Sequence, residues 1–184
     1  LSDNMLHYKG VRMQPTLFLG KGKIEIGKNT SFGYYPSPSF FSTYCHIEAR
    51  NDDASISIGK DNYFNNNLSI IADHGTIIIG DKCLVGFNVS VVNSDFHPIR
   101  ICDRHTDNYR CKDVKIGNNV IFNDNCFISC LNEVSIGDNC LFGDNVFITD
   151  NYHGNTSKET ISIPPIKRKL ESKGKVSIGN NVWC

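Results

Sequence analysis

The chain has 184 residues, with 19 basic and 19 acidic side chains and a formal net charge of zero. That length suits one domain or one solenoid, and the lack of net positive charge or of any basic run argues against nucleic acid as a partner. No apolar stretch approaches a membrane span, and no signal-peptide pattern opens the sequence.

Residues 1–57 are expected to form an N-terminal cap with the first irregular coils, because 1–20 and 34–57 carry no regular repeat. Inside this region Tyr34, Tyr35, Pro36, Pro38, Phe40 and Phe41 make an aromatic, proline-rich segment. It reads as a cover for the first coil, with an acceptor or subunit contact as the functional alternative.

From there the sequence is organised by repetition. Ile-Gly occurs six times, opening at Ile26, Ile58, Ile79, Ile116, Ile136 and Ile178. After Ile79, apolar or small residues fall at Cys83, Val85, Val89 and Val91; after Ile116, at Val120, Phe122, Cys126 and Ile128; after Ile136, at Cys140, Phe142, Val146 and Ile148. A period of six is neither the 3.6 of a helix nor the 2.0 of a flat strand. It marks an internal repeat in which each hexad is a short strand and a tight turn. Three hexads close one coil of about 18 residues, and coils stack with parallel strands in register. The corner residues Gly80-Asp81, Asn118-Asn119 and Gly137-Asp138-Asn139 are expected where the backbone needs positive φ. The fold class is therefore all-β, with a repeat region over 58–184; an antiparallel sandwich would alternate polar and apolar residues without this phase lock.

Ile58 and Ile79 are 21 residues apart and Ile116 and Ile136 are 20 apart, each one coil. Other intervals are longer, and the pattern stops after Val91 and after Ile148. The polar segments that follow, within 93–113 and 150–175, are predicted to be extruded loops, and loops of that length on a compact scaffold are usually functional. Both leave at the same phase of the coil, so both should emerge along one edge.

The chain holds eight cysteines. Cys83, Cys126 and Cys140 fall in the small inward slot and Cys184 in a large inward one, which predicts free core thiols. No Cys-x-x-Cys pair suggests a zinc ribbon, and buried free thiols point to a reducing, cytoplasmic compartment. Of the six histidines, His7 and His46 lie in the cap region, His74 sits at a coil corner, and His105 lies deep in the first loop. His97 and His153 lie near the bases of the two loops.

The repeat resembles that of the hexapeptide-repeat acyltransferases over roughly 21–184. The stretch Asn93-Ser94-Asp95-Phe96-His97-Pro98-Ile99 resembles the His-bearing loop of sialic-acid and polysialic-acid O-acetyltransferases. Ile148-Thr149-Asp150-Asn151-Tyr152-His153-Gly154, with Ile163-Pro164-Pro165 and Val182-Trp183 beyond it, is similar to bacterial surface-polysaccharide O-acetyltransferases. The resemblance implies a left-handed parallel β-helix with triangular coils, against the usual right-handed crossover rule. It also implies an active site between subunits of a homotrimer. Relatives continue for two or more coils beyond the Trp, whereas this sequence ends at Cys184.

The implied activity is O-acetyl transfer from acetyl-CoA to a sugar hydroxyl of a cell-surface glycan or its precursor. Direct attack on a thioester needs a base near neutral pKa, which imidazole provides, and N–H donors for the oxyanion. His153 is the expected base, since its loop leads into Val182-Trp183; His97, in its Asp-Phe-His-Pro setting, is the alternative. Asp150 and Asp95 are expected to orient an imidazole or meet substrate, and Asn151 to contact the acceptor sugar. Trp183, Arg168 and Lys167 are expected to meet coenzyme A. Competing readings are N-acetyl transfer to an amino sugar or small molecule, a γ-type carbonic anhydrase with three histidine ligands, and a non-catalytic scaffold.

Overall fold

The structure is a computed structural model that describes residues 3, 7–8, 10–96, 106, 110–154, 157–168 and 170–184, with backbone only for His7, Tyr8 and His153. His97, Cys102 and His105 lie outside the described residues.

The chain winds so that each coil supplies one strand to each of three sheets. The first coil comprises β1 (His7–Tyr8), β2 (Val11–Arg12) and β3 (Thr16–Leu19). The second comprises β4 (Lys23–Ile26), β5 (Ser31–Phe32) and β6 (Cys45–Ala49), and the third β7 (Ala54–Ile58), β8 (Tyr63–Phe64) and β9 (Ser69–Ala72). The fourth holds β10 (Gly75–Ile79), β11 (Leu84–Val85) and β12 (Ser90–Val92), and the fifth β13 (Asp113–Ile116), β14 (Ile121–Phe122) and β15 (Phe127–Ser129). The sixth holds β16 (Glu133–Ile136), β17 (Leu141–Phe142) and β18 (Phe147–Thr149). After a loop containing β19 (Tyr152–His153) and β20 (Leu170–Glu171), β21 (Val176–Ile178) opens the next. The three sheets have seven, six and six strands, and their pairings are parallel. This arrangement is compatible with a parallel β-helix. Among the described residues the one helical element is a 3-10 turn, Pro165–Lys167.

The hexad phase becomes vertical lines of side chains. In the first sheet Ile26, Ile58, Ile79, Ile116, Ile136 and Ile178 stand in register, and Ile24, Ile56, Ile77, Val114, Val134 and Val176 form a second line. In the second sheet Phe32 stacks on Phe64 at 5.1 Å and Phe122 on Phe142 at 4.7 Å. In the third, Phe18, Ile47, Ile70, Val91, Ile128 and Ile148 align. Burying one such side chain fully is worth about 1.5–3 kcal/mol, so the continuous core carries the stack.

The Ile-Gly glycines are small for a reason other than φ. A Cβ on Gly80 would lie 2.6 Å from the carbonyl oxygen of Gly117, and Gly59 meets Gly80 at the same separation. At Gly27, Gly59, Gly80, Gly117 and Gly137 the stacked corners approach too closely for any side chain, while Gly179 meets nothing within 4 Å. Positive φ falls two residues later, at Asn29, Asp61, Lys82, Asn119, Asn139 and Asn181, and at the next corner at Asn67, Asn88, Asn125 and Asn145. Asparagine tolerates that conformation, and its amide bonds the rung beside it: Asn67 donates to Asn88 at 2.8 Å and Asn88 to Asn125 at 2.8 Å.

Cys83, Cys126 and Cys140 are buried and free, as the repeat predicts. Their thiols donate to corner carbonyls of the following coil, at 3.3 Å to Gly117, 3.2 Å to Gly143 and 3.1 Å to Gly179. Thr30 and Asn62 make the equivalent bond in earlier coils, to Gly59 and Gly80. Cys184 stands in line with Phe142 but is exposed, not buried as its inward slot predicts.

The aromatic segment leaves the stack sideways between β5 and β6, one coil in from β1–β3. Both polar loops leave between the third sheet and the first, after β12 and after β18, along one edge as predicted.

Candidate functional site

The shared edge is built from a column of corner residues, Arg50, Asp73, Asn93, Cys130 and Asp150, one per coil. All but Arg50 are buried. Polar groups held at such depth need partners: Asn93 and Asp150 find them in corner backbone, Asp73 in the side chains of Ser94, Asn51 and Arg50.

At the first loop, Ser94 and Cys111 form an antiparallel bridge that closes its base. The Ser94 hydroxyl donates to Asp73 Oδ2 at 2.8 Å and accepts from the N–H of Phe96 at 2.9 Å. Asn93 accepts from the N–H of Asp73 at 2.8 Å and donates to the carbonyl of His74 at 2.5 Å. The Arg50 guanidinium lies 4.8 Å from the centre of the Phe96 ring. Asp95 therefore sits on a fixed backbone between Ser94 and Phe96, two residues before His97.

One coil below, His74 Nδ1 lies 2.6 Å from Asp53 Oδ1, and its Nε2 lies 3.1 Å from the Asn51 amide nitrogen. The same Asn51 amide nitrogen donates to the carbonyl of Asp73 at 3.0 Å and to Asp73 Oδ1 at 3.1 Å, so His74, Asn51, Asp53 and Asp73 form one polar cluster. The corner reading of His74 from sequence left this carboxylate partner unseen, because Asp53 is 21 residues away and one coil apart. The single-coil spacing of 21 was the signal that relates the two positions. His46 has a similar partner, Glu48, at 2.9 Å; Glu48 also accepts from Arg50 at 2.8 Å. That hydrogen bond is the main cause of a Glu48 pKa below the usual carboxylate range, with His46 adding to it.

At the second loop the Asp150 carboxylate accepts three consecutive backbone N–H groups, from Leu131 at 2.8 Å, Asn132 at 2.5 Å and Glu133 at 2.9 Å. Ser172 donates to the Asp150 carbonyl. Asn151 folds back on its neighbours, donating to Thr149 Oγ1 at 2.8 Å and to Asp150 Oδ1 at 3.3 Å. His153 lies in β19, which pairs antiparallel with β20; its side chain lies outside the described residues. Burial, with the nearby Glu171 carboxylate, raises the neighbouring Tyr152 pKa.

The Arg168 guanidinium donates to the carbonyls of Ile163 at 2.8 Å and Ile161 at 3.4 Å. Its aliphatic stem covers Gly154, whose Cβ would meet Arg168 Cδ at 2.7 Å. Lys167 is exposed at the end of the 3-10 turn. Trp183 is 82% exposed and bridges to Leu141 at the edge of the second sheet.

Two thiols belong to this edge. Cys111 is pushed up to about 11 by burial and then by the charge of Asp73, and Cys130 to about 12 by burial and then by Asp150. Neither supplies a thiolate near neutral pH, which argues against Cys111 or Cys130 as a nucleophile. Among the described residues no three histidine, cysteine or acidic side chains group as metal ligands, and no helix is long and apolar enough to cross a membrane.

No family model, curated protein or solved structure matches this chain.

Proposed function

We propose that this chain is a left-handed β-helix with triangular coils, of the hexapeptide-repeat acyltransferase type. It transfers an acetyl group from acetyl-CoA to a sugar hydroxyl of a surface glycan or its precursor. The observation that carries the reading is the shared edge: both histidine-bearing loops leave the same corner, one from the fourth coil and one from the sixth. The corner beneath them is polar, buried and tied to the scaffold by Asp73, Asn93 and Asp150. A fixed scaffold beneath the reacting groups is what orientation of two substrates requires.

In the reaction an imidazole takes the proton of the acceptor hydroxyl as its oxygen attacks the thioester carbonyl carbon. The tetrahedral oxyanion is held by backbone N–H donors. The carbon–sulfur bond then breaks, and the departing thiolate takes the proton back from the imidazolium. No covalent enzyme intermediate is formed. Exposed Lys167 is available to coenzyme A phosphates and exposed Trp183 to its apolar portion. The functional unit is a homotrimer.

His153 is the base favoured by its place before the Trp. A specific observation favours His97: Asp150, the carboxylate nearest His153 in sequence, is occupied by three backbone amides. The test is acetyl transfer to a panel of sugars, followed by mass spectrometry of the product. Loss of transfer in His153→Ala with retention in His97→Ala selects the second loop, and the reverse selects the first. Retention in both variants, or no acetyl-CoA binding by calorimetry, overturns the function. A base-labile product separates an ester from the amide of N-transfer.

A further inference from the structure

We propose that the outer face of the second sheet is a binding groove for an uncharged sugar chain, separate from the loop-bearing edge. The groove encloses about 780 Å³, within the range of specific small-molecule sites. Its floor is a register line of outward side chains, Val11, Ser31, Tyr63 and Leu84, one from each of four successive coils. Ser31 is the small member of that line, so the floor dips between Val11 and Tyr63. Tyr34 and Met13 close the groove from the side.

The wall is built rather than incidental. Asn66 is fully buried, accepts from the N–H of Tyr34 at 2.9 Å, and points its amide at the carbonyls of Tyr34, Ser37 and Pro38 at 3.1, 3.2 and 2.9 Å. Gln14, 1% exposed, donates to the Phe40 carbonyl at 3.1 Å and to the Thr43 hydroxyl at 3.0 Å. Two buried amides thus fix the segment that carries Tyr34, and a wall ordered before binding costs the ligand nothing to order. The segment projects from the side of the stack, beside the sheet face, and not over its end.

The lining selects the ligand by charge. Among its described residues it holds one carboxylate, Asp124, and no Lys, Arg or His. A phosphate or carboxylate would be desolvated there without a countercharge. This excludes the diphosphate of coenzyme A and acidic sugars. What fits is a chain of neutral pyranose rings, whose C–H faces pack on the Tyr34 and Tyr63 rings while their hydroxyl edges meet the amides of Asn65 and Asn123 at the rim. The inference does not depend on acetyl transfer, since binding is measured without acetyl-CoA.

The experiment is calorimetric titration of the full chain with maltohexaose, cellohexaose and chitohexaose, beside a hexameric oligogalacturonate. At least one neutral hexasaccharide is expected to bind, and Tyr63→Ala and Tyr34→Ala to weaken it at least tenfold. Ser31→Trp, which fills the dip and leaves the wall intact, is expected to do the same. Phe147→Ala, an exposed aromatic on the third sheet, is expected to leave affinity unchanged. The proposal fails if no neutral member binds, if only the anionic one binds, or if Phe147→Ala weakens binding as much as Tyr63→Ala. It fails equally if Tyr63→Ala changes the sedimenting mass without any sugar binding, for then a second copy of the chain covers the groove.

Discussion

The Asp150 carboxylate receives the backbone N–H of Asn132 at 2.5 Å, across 18 residues of sequence and one coil of structure. With Leu131 and Glu133 it completes a three-amide cradle, so the side chain shapes the corner from which the second loop departs. Asp150→Ala leaves three donors without their acceptor and is expected to cost about 3 kcal/mol or more, since charge-assisted bonds are each worth roughly 1.5–3 kcal/mol. Asp150→Asn should recover part of that loss. Urea denaturation measures both; a variant as stable as the parent would leave Asp150 without this structural role.

The asparagine ladder makes a second prediction. Asn88 has φ 58 and both donates and accepts within its column. Asn88→Ala places a Cβ in the left-handed region, at about 1–2 kcal/mol, and removes two amide bonds. Asn88→Gly loses the same bonds but relieves the backbone, so its melting temperature should lie above that of Asn88→Ala. The opposite order would mean that φ is not what asparagine supplies here.

Much of this scaffold is legible from spacing alone. The hexad phase locates the inward positions over Ile79–Val91, Ile116–Ile128 and Ile136–Ile148, and the common phase at which it stops puts both loop departures on one edge. What it hides falls into two kinds. Strands at 7–8, 11–12 and 16–19 belong to the same three sheets, but Arg12 and Gln14 replace apolar residues there and blur the period. Contacts between coils are hidden for another reason. His74 with Asp53, Asp73 with Ser94, and Gln14 with Phe40 join residues about 20 or more apart, and such partners become visible only once the register is known. The glycine of Ile-Gly was expected to supply φ, yet it supplies closeness.

Thiol reactivity follows from burial. Cys184 is exposed, whereas Cys130 is buried with its pKa pushed up to about 12. At pH 8 iodoacetamide should label Cys184 within minutes and Cys130 only after denaturation, read site by site by mass spectrometry. The sign of the linkage is also fixed. Folded Cys111 and Cys130 hold their protons to about 11 and about 12, above the ordinary value of 9.0. Unfolding therefore releases protons at alkaline pH, so stability should be retained below pH 9 and fall as pH rises toward 11–12.

The acid side is governed by the opposite shift. Glu48 is held below its ordinary 4.5 chiefly by the Arg50 hydrogen bond. A lowered carboxylate stabilises the fold above its unfolded value, and that contribution disappears as pH falls below about 4.5. Arg50→Met should flatten this part of the acid limb in a series of urea midpoints between pH 6 and pH 3. An unchanged slope would show that Arg50 does not set it.

Each polar loop interrupts the chain without interrupting the rungs: Val91 still meets Ile128, and Ile77 still meets Val114, on either side of the 20 residues between β12 and β13. Length and composition at these two departures are thus mechanically insulated from the core. A lineage with this architecture can exchange one arm for another and acquire a different clientele while inheriting the same spine.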